Sequence, residues 1–85
     1  MIKWYDGQQL GMIIALDTET EMIMAPNHVP RLVITSVSDG KNSYLIKNKD
    51  LRGFLSVNNQ ATLIMHNATF DLSVISKYLD SKSIY

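Results

Sequence analysis

Residues 12–20, MIIALDTET, constrain this chain more than any other stretch. Met12 to Leu16 are apolar without alternation. A strand with two apolar faces belongs inside a sheet covered on both sides. Yet the run leads into Asp17, Glu19 and Glu21, three carboxylates spaced two apart. Side chains alternate along a strand, so Asp17 and Glu19 share a face about 6–7 Å apart. Unpaired carboxylates crowded at one strand end repel each other and resist burial. A hard divalent cation such as Mg²⁺ or Mn²⁺ relieves both problems, because it takes oxygen ligands. Solvent relieves them too, and for an isolated D-x-E a solvated strand end is the plainer reading. Glu21 falls where the strand frays and is expected in solvent.

The remaining segments arrange themselves around this strand. EMIMAPNHVP, residues 21–30, is a connection in which Pro26 and Pro30 limit regular structure. RLVITSVSDGKNSYLIKN, residues 31–48, predicts a hairpin. Val33, Thr35 and Val37 share one face, Leu32, Ile34 and Ser36 the other, and Asp39-Gly40 turns the chain. NKDLRGFLSVNN, residues 48–59, predicts a helix capped by Asn48 or Asp50, with Leu51, Phe54 and Leu55 on its apolar face. Gly53 weakens that helix and Asn58-Asn59 ends it. ATLIMHN, residues 61–67, is a short apolar strand, and ATFDLSVISKYLD, residues 68–80, a second helix. In that helix Phe70, Val74 and Tyr78 form one stripe and Leu72, Ile75 and Leu79 an adjoining one. The order β, β-hairpin, α, β, α implies an α/β fold with a mixed sheet, the last strand parallel beside the first.

Size and charge bound the function. Eighty-five residues make one domain at most, with a modest core. There is no cysteine, hence no disulfide and no thiolate metal site. No stretch approaches the roughly 18 apolar residues of a membrane span, and MIKWYDGQQLG lacks a signal-peptide core. A soluble, cytoplasmic protein is expected. Eight basic and eight acidic residues cancel, and no basic run exists. A large electrostatic nucleic-acid footprint is therefore not indicated. A site that grips a few nucleotides, or meets phosphate through metal ions, is compatible with this balance. No P-loop, dinucleotide fingerprint, zinc spacing or Ser-His-Asp set is present.

The second informative stretch is MHNATFD, residues 65–71. Asn67 suits an N-cap, Asp71 falls in the first helical turn where the dipole favours negative charge, and Phe70 suits core packing. His66 reads as a strand residue with a hydrogen bond rather than a ligand, and His28 is weaker still. If the last strand runs parallel to the first, Asp71 is expected to face Asp17 and Glu19 across a few ångströms.

ALDTET resembles the first, D-x-E motif of the DEDD 3′–5′ exonucleases. HNATFDLSVI resembles their second, in which Asn precedes the metal-binding Asp by four residues and an aromatic precedes it directly. The wording is similar to proofreading exonuclease domains of family A DNA polymerases of phage and bacterial type. The resemblance implies a ribonuclease H-like mixed sheet of order β-β-β-α-β-α, with residues 1–85 a partial domain lacking its C-terminal strand or strands and helices. It also implies hydrolysis of phosphodiesters at nucleic-acid 3′ ends with two Mg²⁺ or Mn²⁺ ions. Asp17 would bridge the ions, Glu19 would hold the one that carries the attacking water, and Asp71 would serve the second. Thr18, Asn67 and Phe70 would meet the substrate, single-stranded DNA by preference. Such an enzyme, if phage-encoded, would work in the host cytoplasm.

The family's third motif, a Tyr or His near a fourth Asp, has no counterpart here. After Asp71 the one acid is Asp80, nine residues along the helix, and neither Tyr78 nor Tyr85 has a partner Asp in the family's spacing. SKSIY reads as the approach to a further strand. Weak or absent catalysis by this chain alone is therefore expected. Completion by the missing half in trans, or self-association through the open edge of TLIM, is expected with it. The alternative is a non-enzymatic remnant that binds a divalent ion, a nucleotide or a partner protein.

Overall fold

A computed structural model describes residues 2–21, 29 and 31–83. The elements are β1 (Ile2–Trp4), β2 (Ile13–Thr20), β3 (Leu32–Ser38), β4 (Ser43–Ile46), α1 (Asn48–Val57), β5 (Thr62–Met65) and α2 (Ala68–Ser83). One five-stranded sheet has the order β1-β4-β3-β2-β5. The β2–β3 and β3–β4 pairs are antiparallel, and β1–β4 and β2–β5 are parallel. The last strand thus lies parallel beside β2, as expected. This mixed sheet with two helices is compatible with an incomplete ribonuclease H-like exonuclease fold.

Strand β1 was not anticipated. Three residues carry no usable periodicity, and β1 exists only through its pairing of Ile2 with Ser43 and Trp4 with Leu45. The segment that follows is fastened to the far end of α1. The Leu10 N–H donates to Asn58 Oδ1 at 2.7 Å, and Asn58 Nδ2 donates to the Phe54 carbonyl at 3.0 Å. Tyr5 packs edge-on against Tyr44 and Phe54. Asn58, expected only to end α1, therefore also ties down the N-terminal segment.

The apolar run of β2 is covered on one face, not two. Ile14 and Leu16 are buried with Val37, Tyr44, Ile46, Leu51, Phe54, Val74 and Ile75 in a single core. Both helices contribute to that core, so they lie on the same side of the sheet. Ile13 and Ile64, on the other side, are 61% and 55% exposed. The register also shifts between Glu19 and Thr20, where Glu19 pairs with Ile34 but Thr20 with Leu32. The extra residue, Val33, turns outward, and Leu32 joins Thr35 and Val37 in the interior. The simple alternation expected for β3 therefore breaks at its first residues.

Helix α1 begins on Lys47, which is extended and offers no side-chain cap. Neither Asn48 nor Asp50 caps it; the Asn48 amide instead donates to the Leu32 carbonyl at 2.9 Å. Helix α2 runs on through Ser83, so SKS, expected as the approach to a further strand, is helical, and residues 84–85 lie outside the described residues. Glu21 is not simply solvated. Its carboxylate accepts from the Arg31 N–H at 2.8 Å and lies 3.5 Å from the Arg31 guanidinium. Pro26, Pro30, His28 and Tyr85 lie outside the described residues.

Candidate functional site

The site is built where β2 outruns its neighbour. Strand β5 pairs with β2 only from Ile13 to Leu16, whereas β3 follows β2 as far as Thr20. Residues 17–20 are therefore paired on one edge alone. The Thr62 N–H donates to the Met12 carbonyl at 2.7 Å. Main-chain groups alternate sides along a strand, so the even residues of β2 point theirs toward β5. The N–H and C=O of Thr18 accordingly point past the end of β5, where they meet no ladder partner.

Strand parity divides the acidic residues. Asp17 and Glu19 are exposed on the helix-free face, one strand repeat apart. Asp17 lines an open groove of about 480 Å³ with Ile2, Ala15, Ser36, Leu45, Ile64 and His66. Asp71 reaches the strand from the helix side. It is 2% exposed, and its Oδ1 accepts the Thr18 hydroxyl at 2.5 Å; Thr18 itself is 7% exposed. The expected meeting of Asp71 with Asp17 and Glu19 is thus replaced by a meeting with the residue between them. Among the described residues no group of three or more His, Cys, Asp or Glu is gathered to hold an ion. The donor chemistry of Asp17 and Glu19, two exposed carboxylates on one face, fits a single hard divalent cation. The set for a second ion is not assembled among the described residues.

The other expected residues are distributed around this rim. Asn67 is exposed in the turn after β5, and its carbonyl accepts the Asp71 N–H at 2.9 Å, which places it as the first residue of the helical ladder. Phe70 is half-buried against the core. Thr18 has committed its hydroxyl to Asp71, so its main chain is what it can offer a ligand. Asp80 is exposed further along α2. His66, discounted as a ligand, shares the groove of Asp17. The signal was available: parallel pairing of Leu16 with Met65 makes His66 the next neighbour of Asp17.

No helix among the described residues is long and apolar enough to cross a membrane. A family model described as 3′–5′ exonuclease matches residues 4–84, and no curated protein matches the chain.

Proposed function

The chain belongs to the 3′–5′ exonuclease family of DNA polymerase A type, and from that premise we propose that it is the N-terminal part of a domain that trims nucleic-acid 3′ ends during DNA synthesis. The observation that carries this reading is the half-paired end of β2. It presents two carboxylates, Asp17 and Glu19, beside an unpaired main-chain edge at Thr18. Asp17 and Glu19 are the residues that hold a Mg²⁺ or Mn²⁺ ion. When bound, such an ion stabilises negative charge on a phosphodiester and lowers the pKa of water. In this reading Thr18 orients a terminal nucleotide through its N–H and C=O, and Asn67 and Phe70 are further substrate contacts. A groove lined by the Asp17 carboxylate and by no Lys or Arg offers little to a duplex backbone and suits a short single-stranded 3′ end. Asp71 is the third acid of the family's set, and its Oδ1 accepts the Thr18 hydroxyl.

Within these 85 residues no Tyr or His precedes a fourth Asp in the family's spacing, so full activity calls for further chain, supplied in cis or in trans. The experiment is a Mn²⁺ titration of the 85-residue protein with and without a short single-stranded DNA bearing a 3′-hydroxyl. Wild type is expected to bind both, Asp17→Ala to lose the cation, and hydrolysis to be slow or absent. A wild-type protein that binds neither would sink the reading. Rapid turnover by this chain alone would refute the need for a third motif.

A further inference from the structure

Strand β1 buries none of its three side chains, so packing gives no reason for what it carries. Trp4, the single tryptophan of the chain, is 55% exposed there. An exposed indole forgoes the burial that makes tryptophan stabilising in a core. The Lys47 Nζ stands 5.0 Å from the centre of its ring, a cation–π contact. The sheet register fixes where this pair lies relative to the acids. Trp4 pairs with Leu45, Leu45 with Ser36, and Ser36 with Asp17. Directly paired residues share a face. Trp4 and Asp17 therefore belong to one row on the helix-free face, three strand spacings or about 14 Å apart. Lys47 has an extended backbone and follows Ile46, which pairs with Thr35. One further step sets Lys47 opposite Ile34, and Ile34 pairs with Glu19. Lys47 and Glu19 thus share the next row, two spacings or about 10 Å apart.

Between the two ends lies the open groove, lined by the small side chains of Ala15, Ser36, Ser38 and Ser43. Serine, alanine and lysine are depleted where proteins meet proteins. An aromatic ring beside a cation, at the end of a shallow hydroxyl-bearing track, matches the chemistry of a single-stranded nucleic acid instead. Such a ring stacks a base of any sequence, and the ammonium meets a phosphate.

We propose that Trp4 and Lys47 form an upstream subsite for single-stranded DNA, which crosses the helix-free face from the Asp17–Glu19 rim to β1. This rests on the reading of that rim as the seat of a 3′ end. The terminal nucleotide lies at the rim, and a base a few nucleotides before it stacks on Trp4. The subsite adds affinity without reading sequence. It selects single strands, because a paired base in a duplex has no free face to offer.

The test titrates the 85-residue protein, with Mn²⁺ present, with oligothymidylates of about two, four and eight nucleotides. Each carries a 5′ fluorophore and a 3′-terminal phosphorothioate that resists hydrolysis. Anisotropy of the label reports binding, and the fluorescence of Trp4 reports stacking. The longer strands are expected to quench Trp4, and the shortest to bind at the rim without quenching. Trp4→Ala should weaken the longer strands about tenfold, as for the loss of one stacked base, and leave the shortest unchanged. Trp4→Phe should restore most of that loss. Lys47→Gln should reduce the slope of log affinity against log salt by about 0.7, the value for one phosphate contact on a single strand. The inference is overturned if long strands bind wild type while Trp4 fluorescence and the affinity of Trp4→Ala stay unchanged. It is also overturned if Trp4 fluorescence follows protein concentration and ignores the oligonucleotide, for then a second copy covers this face. If Trp4→Ala does not fold, wild-type quenching and the salt slope of Lys47→Gln decide the matter. Absence of binding by every strand is a different failure: it removes the reading of the rim as a 3′-end site, and this inference with it.

Discussion

Asp39 shows how much one side chain organises at the hairpin turn. Its Oδ1 accepts from the N–H groups of Lys41 and Asn42, both at 3.0 Å, and Oδ2 accepts from Gly11 at 3.3 Å. Gly40 beside it has φ +89°, a conformation that glycine adopts without penalty. Hydrogen bonds from the Asn42 and Lys41 backbone hold the Asp39 carboxyl below its ordinary value of 3.8. A depressed folded-state pKa means the unfolded chain takes up protons first as pH falls. The contribution is thus complete above about pH 4–5 and disappears as pH drops through the lower folded value. Urea unfolding between pH 2 and 6 is expected to show wild type more stable than Asp39→Ala at the upper end. The two curves should converge toward the acid end. Parallel curves would mean the carboxyl's charge plays no part in the turn.

At the scale of elements, α1 carries an avoidable weakness. Gly53 lies exposed within the helix, and a Cβ added there would meet nothing within 4 Å. Its backbone is helical, so alanine fits without strain and reduces the freedom of the unfolded chain. Gly53→Ala is expected to stabilise by about 0.5–1 kcal/mol, read from the midpoint of chemical denaturation at unchanged slope. A loss of stability would show that α1 needs a flexible residue at this point. The helix forms despite Gly53 and without a side-chain cap because Leu51 and Phe54 are fully buried against the sheet. Tertiary burial outweighs local propensity in a helix this short.

For the whole molecule, the consequence of placing both helices on one side is a sheet face that carries no helix among the described residues. Ile2, Trp4, Ile13 and Ile64 stand exposed on it, and β5 is an edge strand. Exposed apolar area beside an unpaired edge favours association. Sedimentation at rising protein concentration is expected to show reversible self-association, and Ile64→Lys, on both the face and the edge, is expected to abolish it. Wild type that stays monomeric across the range would mean the face is tolerated in water. Asp17 and Glu19 lie at the rim of this face, so association and cation binding are expected to compete.

The hairpin, the two helices, the strand at residues 62–65 and the likeness carried by ALDTET and HNATFDLSVI were legible in the amino-acid sequence, because each rests on local periodicity or on residues a few positions apart. The parallel seating of β5 beside β2 followed from element order. The position of β1, the bulge at Val33 and the tether at Asn58 were not legible, since each depends on a partner tens of residues away. The same holds at the rim. Sequence spacing put Asp17 and Glu19 on one face, but it carried no information about which face the helices would take. Folding placed α2 on the side of Thr18, and strand alternation then sent Asp71 to the hydroxyl between the two carboxylates rather than to the carboxylates themselves.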